Sequence, residues 1–166
     1  MSDRPAGTPA PQTAPQAADQ ELSAVDGLAQ LSFLVQAMLE RRAGEQDLSI
    51  IQLRLLGILR DRTPTMNELA KFLDLDKSSV SGLADRAERR GLVTRVPSTT
   101  DRRAVLVSLT DHGRSLASEG AACFAADVSQ LLERLPQADR AALSGLISRL
   151  LVAHAAGRGI DLFPTA

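Results

Sequence analysis

The stretch Leu73–Leu109, LDLDKSSVSGLADRAERRGLVTRVPSTTDRRAVLVSL, constrains this chain most, because its hydrophobic period changes once, at a glycine. Val80, Leu83, Ala84 and Ala87 recur at the i, i+3, i+4, i+7 spacing of a single apolar helical stripe, while Ser78, Ser79, Ser81, Gly82 and Arg86 fall elsewhere. Gly91 suits the left-handed position that closes a helix, which only glycine occupies at little cost. Beyond it, Leu92–Val96 and Ala104–Leu109 carry the two-residue period of paired strands, with Pro97–Arg103 as their connecting loop. The reading is a helix with one packed and one small polar face, set beside an arginine-tipped hairpin.

The segments on either side complete the pattern. Thr65-x-x-Glu68 is a capping box opening a short helix through Met66, Leu69, Ala70, Phe72 and Leu73. Asp74–Asp76 make a turn, with Asp76 placed as N-cap of the next helix, and the whole matches a helix-turn-helix, a shape suited to DNA. Ser49-x-x-Gln52 is a second capping box, opening IIQLRLLGILRD, which is apolar nearly all round and therefore central. Upstream, Leu22, Val25, Leu28, Leu31, Leu34, Val35, Met38 and Leu39 form a helical run from Asp19 that Arg41, Arg42 and Gly44 end. Downstream, Thr110 begins a long helix that Pro136 stops, and a last helix from Gln137 is expected to bury Leu143, Leu146, Ile147, Leu150 and Leu151 before Gly157. Three helices thus lie outside the central module with apolar faces to cover, and a second copy in a two-fold homodimer is the economical cover.

Composition excludes several classes. The 166 residues suffice for one good core, not two full domains. Net charge is −1, so any affinity for nucleic acid must come from distribution, and between residues 77 and 103 Lys77, Arg86, Arg89, Arg90, Arg95, Arg102 and Arg103 face only Asp85, Glu88 and Asp101. With no Trp or Tyr, base stacking on aromatics is hard to arrange, which argues against single-strand readers. Cys123 is the lone cysteine, which rules out an intrachain disulfide and makes a reducing cytoplasm the simplest compartment. Its position beside Phe124 favours an inert buried thiol over a redox switch. No stretch approaches ~18 consecutive apolar residues, so no membrane partner is expected. His112 and His154 lack clustered ligands, so neither a metal nor a cofactor is assigned. Asp111, His112 and Ser115 could be drawn as a hydrolase group, but they begin a helix without a nucleophile elbow, and the chain reads as a non-enzyme. A winged module used only for protein contact stays open as an alternative.

LAKFLDLDKSSVSGLADRAERRGLV (69–93), the Asp101-Arg102-Arg103 loop and VLVSLTDHGRSL (105–116) resemble the MarR family of bacterial winged-helix regulators, over roughly residues 20–155. The resemblance implies a mainly α fold with a small β-hairpin wing, a winged helix-turn-helix flanked by N- and C-terminal dimerisation helices. Residues 1–18, with Pro5, Pro9, Pro11 and Pro15 among Ala, Gln and Thr, read by composition as a disordered tail, and the rest divides into dimerisation helices (19–45 and 110–157), a DNA-binding module (46–109) and a C-terminal tail (158–166). The function it implies is a transcriptional regulator, by family default a repressor, of a pseudo-palindromic operator in double-stranded DNA.

On that reading Lys77, Ser78, Ser79, Ser81 and Gly82 meet base edges, with Arg86 one turn on; an ordinary solvated helix face is the alternative. The first-turn N–H groups of Lys77, Ser78 and Ser79 could also take a phosphate. The family often carries a long polar or basic side chain where this chain has Gly82, which shifts weight to Arg86. Arg103 resembles the family arginine that enters the minor groove, Asp101 would orient an arginine by an ion pair, and Arg102 and Arg95 are candidates for phosphate contacts. Members commonly bind a small anionic aromatic between the dimer helices and the winged lobe. The wall expected here is Met38, Arg41, Arg42, Leu48, Ile51 and Leu55, with core packing as the alternative role for the same residues.

Overall fold

The computed structural model describes residues 21–98, 101 and 103–162. The expected tail at 1–18 and Arg102 lie outside the described residues. Six helices and one hairpin follow in order: α1 (Ala24–Glu45), α2 (Ile50–Arg60), α3 (Met66–Leu73), α4 (Lys77–Arg89), β1 (Val93–Pro97), β2 (Val105–Leu109), α5 (Asp111–Leu132) and α6 (Gln137–Gly157). The architecture is therefore the mainly α winged fold expected.

Local chemistry sets the helix starts. Ser49 and Gln52 close one capping box and Thr65 and Glu68 another, each pair satisfying two backbone N–H groups that the first turn leaves over. The Glu68 carboxyl lies below its usual range because the Thr65 backbone N–H and hydroxyl both donate to it. Asp74 ends α3 in the left-handed conformation (φ 58°), and two residues later Asp76 caps α4.

The apolar stripe of α4 is buried throughout, and Leu83 and Val80 join Leu55, Leu56, Leu69, Leu73, Val93 and Val107 in one core. β1 and β2 pair antiparallel from Val93↔Leu109 to Pro97↔Val105. Val107 and Leu109 are buried at the base of the hairpin, whereas Val105, expected on the same face, is exposed where the strands leave the lobe. The Val107 N–H donates to Pro64 O at 2.9 Å, which pins β2 to the segment ahead of α3.

The join between hairpin and α5 explains the Leu109-Thr110-x-x-Gly113 motif. Gly91, at φ 67°, lets the chain leave α4, and the Thr110 hydroxyl donates to Gly91 O at 2.6 Å. The Gly113 N–H in turn donates to Thr110 Oγ1 at 3.0 Å. This brings the start of α5 so close that a Cβ on Gly113 would sit 1.9 Å from Leu92 O. Glycine is required at 113 by that approach rather than by its backbone angles.

Outside the lobe the packing is thin. Arg42 makes a two-pronged ion pair with Asp127 (Nε 2.8 Å, Nη2 2.7 Å), and Arg41 adds a contact at 3.0 Å, fastening α1 to α5. Hydrogen bonds from Arg42 hold the Asp127 carboxyl below its usual range. Leu146, Ile147, Leu150 and Leu151 of α6, expected to be buried, are 41–58% exposed within the single chain, as are Leu28 and Phe33 of α1 at 57% and 64%. Cys123 is half-buried on α5 rather than sealed.

The chain after α6 is not a free tail up to residue 162. The Arg158 guanidinium bonds the Asp74 carboxylate, and Arg62 donates to Asp161 O (2.9 Å) and Leu162 O (3.4 Å) while lying 4.6 Å from the centre of the Phe72 ring. The hydrogen bonds among these contacts join residues 84 to 100 apart, which periodicity does not register.

Candidate nucleic-acid interface

The outer face of α4 is small and polar because its large side chains are committed to the core. Its first turn is organised by Asp76. The Asp76 carboxylate accepts the Ser79 N–H at 2.9 Å, the Ser78 hydroxyl at 2.5 Å and the Ser79 hydroxyl at 2.6 Å. Those bonds, the hydroxyl of Ser78 foremost, hold its carboxyl far below the usual range. The Ser79 N–H expected to take a phosphate is thus already occupied, and an ionised carboxylate sits among its neighbours, so the head of α4 is a poor anion site.

Farther along, Arg86 folds back over Gly82: a Cβ there would lie 3.3 Å from Arg86 Nη1. The missing side chain at 82 leaves room for the arginine, and the two positions expected to act separately form one unit. Lys77, Ser81 and Arg86 are exposed.

Arg95 departs from expectation. Its Nη1 lies 2.6 Å from Asp85 Oδ1 and 3.5 Å from Glu88 Oε2, and its Nη2 donates to Ser81 O at 3.2 Å. Its charge is spent bracing β1 against α4, so it is not poised for phosphate. Asp85 and Glu88, three residues apart on one helical face, were the sequence signal for this cradle. Arg90 is likewise engaged, donating to Asp47 O at 2.6 Å. Between residues 77 and 103 the positive charges that no carboxylate meets among the described residues are therefore Lys77, Arg86, Arg89 and Arg103.

In the wing, the Ser98 N–H donates to Ala104 O and the Ala104 N–H to Asp101 O, both at 2.9 Å. The Asp101 carboxylate accepts the backbone N–H of Arg103 at 2.9 Å. Asp101 thus shapes the loop through the main chain; no arginine side chain among the described residues reaches its carboxylate, and Arg102, a candidate for the expected ion pair, lies outside the described residues. Arg103 stays exposed at the edge of the wing.

A separate cavity of about 860 Å³ opens between α2 and α5, lined mainly by Ile51, Leu53, Ile58, Ala121, Phe124 and Val128, with Leu39 from α1 and the cations Arg54 and Arg60. Of the wall expected from sequence only Ile51 belongs to it. Leu55 and Leu48 are core residues, and Arg41 and Arg42 are held by Asp127. Met38 gives way to Leu39 because neighbouring helical residues point about 100° apart, so an error of one position turns a residue off the wall.

An apolar-cored helix-turn-helix whose second helix is exposed beside a β-hairpin, with flanking helices at both ends, defines a winged-helix DNA-binding regulator. A family model described as MarR family matches residues 46–104. The chain is 32% identical to the HTH-type transcriptional repressor NicR of Pseudomonas putida over 117 residues, 69% of this chain and 73% of that one. Apo wild-type MarR from E. coli superposes with a TM-score of 0.67 at 25% identity, covering 80% of this chain and 99% of that one. NadR, solved in complex with 4-hydroxyphenylacetate, gives a TM-score of 0.66 at 23% identity over 85% and 97% of the two chains. The chain belongs to the MarR family of DNA-binding transcriptional regulators.

Proposed function

We propose that this protein is a cytoplasmic, non-catalytic homodimeric repressor that binds a pseudo-palindromic operator and is released by a small anionic aromatic ligand. The observation that carries the DNA reading is the exposed serine and arginine face of α4 together with exposed Arg103 of the wing, where no carboxylate meets Lys77, Arg86, Arg89 or Arg103 among the described residues. Dimerisation is supported by the uncovered apolar faces of α1 and α6, the two terminal helices. Two recognition helices related by a dyad require an inverted repeat, with half-sites spaced by about one helical turn of DNA or a multiple. Repression is supported by the name of the NicR relative.

The ligand reading rests on the cavity between α2 and α5. Its walls suit an apolar ring, and Arg54 and Arg60 supply cations for a carboxylate. Arg60 already pairs with Asp61 and Arg54 donates to Phe72 O at 3.3 Å, so Arg54 is the cation more readily redirected. NadR's complex with 4-hydroxyphenylacetate supports this chemical class.

Footprinting the purified protein on the DNA flanking its own gene tests the first reading: a protected inverted repeat is expected, and absence of sequence-specific protection at moderate salt removes it. Calorimetric titration with 4-hydroxyphenylacetate and related phenolic acids tests the second. Heat that disappears in Arg54→Ala is expected, and no heat from any of them removes the cavity as an effector site.

A further inference from the structure

A serine hydroxyl is ordinarily an ambiguous reader of bases, since it can donate one proton or accept through its oxygen. On α4 that ambiguity is removed. Ser78 and Ser79 each have one hydroxyl proton, and each hydroxyl oxygen lies 2.5–2.6 Å from a different oxygen of the Asp76 carboxylate. An ionised carboxylate only accepts, so both protons must point at Asp76. The Asp76 carboxyl is held far below its ordinary range, so the arrangement persists throughout the physiological pH range.

Both serines are exposed on the face of α4 that the core leaves free. What they offer outward is oxygen lone pairs and nothing else. One turn on, the Arg86 guanidinium over Gly82 offers only donors. Behind the Lys77 ammonium the helix therefore has a donor–acceptor polarity: acceptors at Ser78 and Ser79, donors over Gly82 in its second turn.

We propose that Asp76 is a positioning residue for base readout, fixing Ser78 and Ser79 as obligate acceptors that select exocyclic amino groups, adenine N6 or cytosine N4, in the major groove. Arg86 complements them by selecting the acceptor edge of guanine, O6 and N7. Guanine and thymine O6 or O4 are disfavoured beneath the serines, because two acceptors face each other there and a buried acceptor is left unpaired. The same logic keeps the serines off phosphate oxygens, which also only accept. This inference rests on the DNA-binding reading and deepens it.

The experiment starts from duplexes selected from random sequence by the full-length protein. At the base pairs under the head of α4, each adenine is replaced by purine, which lacks N6, or by 7-deazaadenine, which lacks N7; cytosines are replaced by the analogue lacking the N4 amino group. Deleting an amino group is expected to weaken binding about 3- to 10-fold, as for one neutral hydrogen bond, and deleting N7 to change it less than about twofold. Asp76→Asn keeps an N-capping side chain but replaces one acceptor oxygen by an N–H₂ donor, which obliges one serine to turn its proton outward. In that variant the cost of amino deletion at one position should collapse towards unity, and substitution by guanine or thymine there should become tolerated. A merely structural Asp76 would instead lower affinity for all duplexes alike.

Loss of affinity only on N7 deletion, or equal preferences in wild type and Asp76→Asn, overturns the proposal while leaving DNA binding intact. Failure to recover any specific duplex overturns the DNA reading itself, and this inference with it.

Discussion

The winged lobe and the terminal helices solve the burial problem in opposite ways. In the lobe, large side chains from α2, α3, α4 and both strands are wholly enclosed, Leu55, Leu56 and Leu69 among them at 0% exposure. In α1 and α6 the only buried residue of each helix is an alanine, Ala43 and Ala155. In α4 of the lobe only Val80, Leu83, Ala84 and Ala87 are apolar and all four are buried, whereas α1 and α6 are more than half apolar and largely uncovered, so composition does not decide burial. The lobe closes on itself, whereas the outer helices leave an apolar face uncovered within the single chain, the face the proposed dimer would cover.

That contrast can be broken in graded steps. Leu55→Ala empties a fully enclosed site and should cost about 2–5 kcal/mol in denaturant melts; a smaller loss than about 1 kcal/mol would mean the lobe is less self-contained than its burial indicates. Gly113→Ala forces a methyl against the Leu92 carbonyl and should cost about 1–3 kcal/mol through overpacking, while disturbing the hairpin more than α2 in hydrogen exchange. Leu150→Ser, on the exposed face of α6, should leave the melting of the lobe nearly unchanged yet raise the dimer dissociation constant about tenfold or more by sedimentation. An unchanged constant would show that α6 is not the covering surface. The smallest step separates two arginines of the wing: Arg103→Ala should weaken operator binding about tenfold and lower the log–log salt slope, while Arg95→Ala, already neutralised by Asp85 and Glu88, should leave that slope as it was. Equal slopes in both variants would show that Arg103 neutralises no more of the DNA charge than Arg95 does.

What the sequence made legible follows the range of the interactions involved. The capping boxes at Ser49 and Thr65, the Asp76 cap and the glycine stop at Gly91 are contained within a few residues, and each forms where its spacing places it. The stripe Val80, Leu83, Ala84 and Ala87 is buried as its period requires. The pairing of Arg95 is not legible because its partners Asp85 and Glu88 lie on another element, and seven basic residues spread over positions 77–103 look alike until tertiary structure pairs some of them. The lining of the cavity differs from the expected wall for another reason: helical periodicity identifies a broad face, but α2 and α5 must be packed together before Leu39 is distinguished from Met38. The docking of residues 158–162 had no periodic signature at all.

That docking moors the C-terminal helix to the turn that leads into α4. Arg158, which follows α6, pairs with Asp74, the left-handed turn residue between α3 and α4 and two positions ahead of Asp76. The end of the chain's last described helix is thus tied at the surface next to the cap on which the Ser78 and Ser79 hydroxyls depend.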